Sequence, residues 1–208
     1  SCAMDVSTSM RVLNGSLWLP EQQINKTLLS GGALVYCDLM RKRREARERA
    51  VQFLFQHDLN PPEDLGAALN QFWDAQRMSD LLESHGPTWG ERVELPPPNA
   101  EESATRLFAD RLVRGVLENR EQLDDIIRKH AKNWDLHRMA AVDRNVMRLA
   151  IHEMLHRDDI PPVVSINEAV DVAKKFSTAD SGKFVNGILD KVKADLLRPA
   201  RTAKETAV

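Results

Sequence analysis

The string HEMLH, His152 to His156, has the H-E-x-x-H spacing of a zinc hydrolase. On a helix, residues four apart share a face, so both imidazoles could reach one ion and Glu153 could act as general base. Glu168, in SINEAV, is the candidate third ligand. Three features weigh against this reading. His156 falls in the last turn of its helix, close to Pro161 and Pro162, and only eleven residues separate it from Glu168, which leaves little chain for a cleft. No alternating strand pattern offers an edge for an extended peptide. Glu168 also stands three residues after Ser165, the spacing of a capping box. The spacing fits equally well two histidines at the margin of a buried face. His57, His85, His130 and His137 have no ligand-like spacing, and no GxSxG elbow, P-loop or GxGxxG is present. No catalytic activity, metal or cofactor is expected.

A second chemistry belongs to RKRREARER, Arg41 to Arg49: five arginines, one lysine and two glutamates, a local charge of +4 in a chain of net −2. Cations at a helix start oppose the macrodipole, so a cluster there asks for a compensating anion. Guanidinium offers phosphate a planar, bidentate fork. A charge run is also the ordinary dress of a solvated face, and both readings stand at this point.

The elements that must position these residues are helical. From Arg41, Ala46, Ala50, Phe53, Leu54 and His57 recur at three- and four-residue steps. Asn60 is a candidate N-cap, with Pro61 in a permitted position, for a helix over about 62–83. Residues 85–99, with Pro96 to Pro98, form a loop. Further helices are predicted over about 101–118, 120–132 and 139–157. The last is apolar around most of its circumference and therefore central. A sixth, capped by Ser165 and Glu168, runs to about Phe176, and a seventh starts at Asp180 or Ser181. The expected class is all-α: about seven helices in two packed helical subdomains.

Residues 1–39 show no sustained period and read as a poorly ordered extension, with Met40 the natural start; 40–197 read as the helical domain and 198–208 as a polar, flexible tail. Two cysteines, Cys2 and Cys37, give no disulfide framework, which fits a reducing cytoplasm. No apolar run approaches the roughly 20 residues of a membrane span, so no membrane association is expected.

The stretches REARERAVQFLFQHDL and VDRNVMRLAIHEMLHRDDIPPVVSINEAVDVAKKFSTADSGKFVNGILDKV resemble the NusB family of bacterial transcription antitermination factors, from about Arg41 to Leu197 and most weakly across 60–105. HEMLH falls where the family has an aromatic-Glu-Leu stretch, so the resemblance makes the histidines incidental. It implies two perpendicular helical subdomains without catalysis. It also implies binding of the single-stranded boxA element of ribosomal RNA leaders, pairing with the ribosomal protein NusE, and action in the elongation complex.

The family's basic motif falls on Arg43, Arg44 and Arg47, with Arg41 and Lys42 beside it, and a family tyrosine falls on Phe55. The second RNA-contacting segment falls on Asp180, Lys183 and Phe184. Glu45 stands where relatives can carry another cation. From periodicity alone, Phe55 and Phe184 read as core and Asp180 as an N-cap. Two rivals stand beside this reading. A similar helical domain is fused to RNA cytosine methyltransferases, although nothing in these 208 residues reads as a doubly wound domain. A protein-only scaffold could also keep the fold and lack RNA binding.

Overall fold

The computed structural model describes residues 31–85, 94–132, 134–178 and 180–196. Among them are seven α-helices and no strand: α1 (Gly31–Leu59), α2 (Leu65–His85), α3 (Ala100–Glu118), α4 (Arg120–His130), α5 (Ala141–His156), α6 (Pro162–Phe176) and α7 (Ser181–Leu196), with a 3₁₀ turn at Leu136–Arg138. The all-α class is the one expected. The N-terminal arm up to residue 30 and the tail 198–208 lie outside the described residues.

Three local expectations are corrected. Helix α1 begins at Gly31 rather than near Arg41, so Met40 lies inside it. Past Gly32 no residue before Met40 is a proline, and Ala33, Leu34 and Leu39 are good helix formers. Helix α2 is capped by Asp64, not Asn60: the Asp64 carboxylate accepts from the backbone N–H groups of Gly66 (2.7 Å) and Ala67 (3.1 Å). Pro62 forbids the earlier start by keeping Pro61 out of the helical region. Helix α6 begins at Pro162, so Ser165 is already inside it and no side-chain cap forms. Proline at the first helical position is preorganised for the turn and loses no hydrogen bond there. A capping box does form at Asn99 and Glu102, at the start of α3.

The N-terminal group is tied by Phe53 of α1 edge-on to Phe72 of α2 (5.4 Å) and by the Trp73 indole N–H donating to Asp110 of α3 (2.8 Å). The C-terminal group is organised by α5, which packs against α3, α4, α6 and α7. Every residue of α5 from Asn145 to Glu153 is buried, as its circumferential apolar pattern requires. Helix α1 contributes Ala46, Ala50, Val51, Phe53 and Leu54 to the shared core. Each of the larger side chains gains about 1.5–3 kcal/mol from burial.

One contact sets the distance between α3 and α5. A Cβ added at Gly115 would stand 2.3 Å from Cε1 and Nε2 of His152. Gly115→Ala is expected to lower stability by about 1–3 kcal/mol through overpacking. Chemical denaturation would read this, and His152→Ala in the same chain should recover much of the loss. Equal midpoints for Gly115→Ala and the parent would show that the helices can part without cost.

Candidate nucleic-acid interface

The cationic run of α1, Arg41 to Arg49, lies in the middle of the helix rather than at its start, and it meets carboxylates of the protein itself. Arg47 is the extreme case. Its side chain is 4% exposed, its Nε contacts both oxygens of Glu153 (3.0 and 3.1 Å), and its Nη1 lies 3.6 Å from Glu168. Glu153 itself is fully buried. Arg47, read from the sequence as facing phosphate, is therefore an interior residue, because a buried carboxylate needs a charged partner. Arg44 makes a two-pronged contact with Glu168 (3.1 and 2.8 Å) and reaches Asp171 at 3.2 Å. Lys42 lies 3.8 Å from Glu45 and 3.7 Å from Glu101. Arg43 stands 3.7 Å from Asp159, a loose pair at the surface. Arg43, Arg47 and Arg157 also surround the ring of Phe108, at 5.6, 5.6 and 5.1 Å, where the ring's negative face attracts all three. Arg157 in turn bonds Asp159 (2.9 and 3.1 Å) and holds that carboxyl below its ordinary value.

The outward-facing remainder of this cluster is Arg41, which is exposed, with the half-exposed Lys42, Arg43 and Arg44. Phe55, two turns further along, is half-buried.

At the start of α7, Asp180 and Lys183 are almost fully open to solvent, with side chains 93% and 87% exposed and 3.8 Å apart. The backbone carbonyl of Asp180 accepts from the N–H groups of Lys183 and Phe184, both at 3.1 Å, while its carboxylate faces water. Phe184 is partly buried on the core, with its ring against Trp134 at 5.4 Å. Helix α6 links the two segments. Its Glu168 and Asp171 hold Arg44, Lys175 bonds Glu48 of α1 (2.6 Å), and the Lys174 stem lies against Gly182 of α7.

The opposite end of α1 carries a hub that the sequence reading missed. Asp58 receives Arg120 (2.9 Å), Arg144 and Arg148 (3.2 Å each) and Asn145 (3.1 Å). Arg148 also makes a bidentate pair with Asp124 (2.6 and 2.8 Å). Burial pushes the Asp58 carboxyl up, but these cations outweigh it and hold it below the usual range.

The zinc reading fails on the same contacts. Glu153 is bound by Arg47 and is not available as a base, and Glu168 is bound by Arg44. Glu168 is thus an arginine acceptor rather than the capping partner expected of it. His152 is 8% exposed and lies against His156, ring centres 4.8 Å apart. Burial first, then the charges of His156 and Arg157, depress the His152 imidazole to about 4.

Comparison with known proteins gives one answer. The model described as the NusB family matches residues 44–194. A transcription antitermination protein NusB of Symbiobacterium thermophilum is 44% identical over 153 residues, 72% of this chain and 88% of that protein. Among solved structures, T. maritima NusB aligns with TM-score 0.55 and 35% identity, over 74% of this chain and 91% of that one. A crystal structure of the antitermination factors NusB and NusE in complex with double-stranded RNA aligns with TM-score 0.53 and 26% identity, over 75% and 98%.

Two stability predictions follow from the buried charges. Arg47→Ala leaves Glu153 unpaired and should cost about 3–5 kcal/mol, whereas Arg47→Met with Glu153→Leu should recover most of it; thermal unfolding of the three chains separates these outcomes. His152 is neutral in the fold down to about pH 4, while in the unfolded chain it takes a proton below about 6.5. Its contribution is complete above pH 6.5 and is lost as pH falls towards 4, by up to about 3 kcal/mol. The denaturation midpoints at pH 7 and pH 4.5 should therefore lie closer together for His152→Gln than for the parent. His57 and His130, which burial depresses in the same direction, act equally in both chains.

Proposed function

The chain belongs to the NusB family, and on that premise we propose that it is a transcription antitermination factor. In this reading it binds boxA-type single-stranded RNA of ribosomal RNA leader transcripts together with NusE. The observation that carries the reading is the match of residues 44–194 to the family, joined to the likeness with a NusB found with NusE and RNA. The activity is binding, not catalysis. No described helix is long and apolar enough to cross a membrane. The place of action is the transcription elongation complex, in the cytoplasm.

RNA lies along the edge where α1, α6 and α7 meet. Arg41, Lys42, Arg43 and Arg44 face the phosphates at one end, and Lys183 does so at the other. Phe55 and Phe184 supply rings for stacking, and the Asp180 carboxylate accepts from base amino groups. Arg47 contributes by fixing α1 on α5. Arg43 exchanges its partner most readily, since an exposed pair at 3.7 Å contributes little. Arg44 gives up a close two-pronged contact and does so less easily.

The rival, a protein-only scaffold, draws on the internal pairing of the α1 cations. Binding of boxA RNA by the chain with NusE, followed against salt, separates the two. About four phosphate contacts predict a slope of log K on log salt near −3. Arg43→Ala should weaken binding several-fold, flatten the slope by about 0.7 and leave helicity unchanged. Capture of NusE with no affinity for RNA, or a slope near zero, would establish the scaffold instead.

A further inference from the structure

Beyond Lys183 and Phe184 the surface continues into a groove of about 980 Å³ between the end of α4 and the outer face of α7. Lys129, Lys132, Trp134 and Lys191 join Lys183 and Phe184 along it, and Asp195 is its one carboxylate. Lys129 is accounted for without a ligand: it sits in the last turn of α4, where a cation is favoured, and bonds Asp195 at 2.8 Å. Lys132 and Lys191 are different. Both are exposed, and among the described residues neither is in an ion pair, whereas Lys42, Arg43, Arg44 and Arg47 of α1 all meet carboxylates. The positive field is felt by His130, which burial depresses and which Lys129, Lys191 and Lys132 depress further against the opposing pull of Asp195.

The aromatic part of the groove is equally unusual. Trp134 is 57% exposed although tryptophan is a residue proteins generally cover. It is held in place: its backbone N–H closes a turn on the Ala131 carbonyl (2.9 Å), and its ring meets Phe184 at 63°. Gly187 lies in the groove on α7, and a Cβ added there would meet nothing within 4 Å. Packing does not require a glycine at that point, and glycine inside a helix is unfavourable relative to alanine. Its effect is to keep the floor of the groove open.

We propose that this groove holds a further stretch of single-stranded RNA, continuous with the segment at the start of α7, with one base stacked on Trp134 and phosphates on Lys132 and Lys191. Unpaired lysines interleaved with an exposed, fixed aromatic ring are the pattern of a sequence-tolerant single-strand track. An acidic peptide would use the lysines and leave the ring without a role. The proposal rests on the RNA-binding reading above.

The test uses the full chain with NusE and two RNAs: a boxA oligonucleotide, and the same one lengthened by an unstructured pyrimidine run at either end in turn. One lengthened RNA should bind several-fold more tightly than the short one. Trp134→Ala should remove that gain, on the order of five- to a hundredfold for one stacked base, and leave the short RNA unaffected. Lys132→Ala with Lys191→Ala should flatten the salt slope by about 1.4 for the long RNA alone. Gly187→Gln fills the groove and improves the helix, so it should bind the long RNA no better than the short while unfolding at equal or higher temperature. If the short RNA binds and neither extension adds affinity, or if Trp134→Ala weakens both RNAs alike, the groove is not an RNA track. Binding of polyglutamate that Lys132→Ala with Lys191→Ala abolishes, with no gain from longer RNA, would assign the groove to an acidic peptide and overturn the proposal. Failure of the parent to bind either RNA would remove the RNA-binding reading itself.

Discussion

The structure depends on a carboxylate that water never reaches. Glu153 is fully buried in the last turns of α5 and accepts from Arg47 of α1. An unpaired charge in that position would cost several kcal/mol, so α5 can adopt its central place only with α1 laid across it. The pair does more than neutralise. Helix α1 carries Arg47 near its middle and Asp58 near its end, while α5 carries Arg144 and Arg148 near its start and Glu153 near its end. Opposite charges meet only if the two helices run antiparallel. A parallel arrangement would set Arg47 against Arg148 and Asp58 against Glu153. The apolar residues Ala46, Ala50, Val51 and Leu54 between the two ends supply burial but do not by themselves choose a direction. The ion pairs choose it, which is the registry role for which buried charges are best suited.

This allocation constrains any binding role for the same helix. A guanidinium already fixed by a buried carboxylate cannot turn to a phosphate without exposing that carboxylate to an uncompensated interior. The cations of α1 therefore grade from structural to available by how firmly each is held: Arg47 inside on a buried carboxylate, Arg44 nearer the surface with a close two-pronged partner, and Arg43 with a loose one. Phe108 serves the same ordering. Three guanidinium groups around one ring would repel one another, and Glu153 and Asp159 make the arrangement tolerable. The arginine-rich middle of α1 is in large part a docking code read by the protein's own α5 and α6.

Much of the fold was legible because helical periodicity is local. The circumferential apolar set of α5 announced a central helix, and α3, α4 and α7 fell close to their expected ends. The errors fall where a longer-range or competing local term decides. Pro162 set the start of α6, so the Ser165–Glu168 spacing that suggested a cap became two positions within a helix. The partner of Glu168 lies 124 residues away and that of Glu153 lies 106 away, distances at which no sequence spacing carries a signal. Arg47 was placed outside for the same reason: periodicity put it beside Ala46 and Ala50, but charge argued for solvent. Of the candidate site, Asp180 and Lys183 are as open as a contact residue must be. Trp134 passed without notice because a single aromatic in a loop has no period to read.

The HEMLH string shows how a motif is decided by what else occupies its donors and acceptors. Each of its polar letters has a structural occupation: His152 packs into the space that Gly115 leaves, Glu153 holds Arg47, and His156 lies against His152. A metal on the two histidines would have to displace Arg44 from Glu168 to gain its third ligand, and Arg47 from the fully buried Glu153 to free a base. The cations of the conspicuous basic run largely have partners inside the fold, whereas Lys132, just past α4, and Lys183 and Lys191 of α7 have little or none. Charge that has a partner inside the fold exerts little pull on a distant polyanion, because the pair's field falls off as a dipole. Lys132, Lys183 and Lys191 stand in water with little or nothing opposite them, so in a chain of net charge −2 they, more than the arginines that outnumber them, shape the potential that an approaching RNA strand meets.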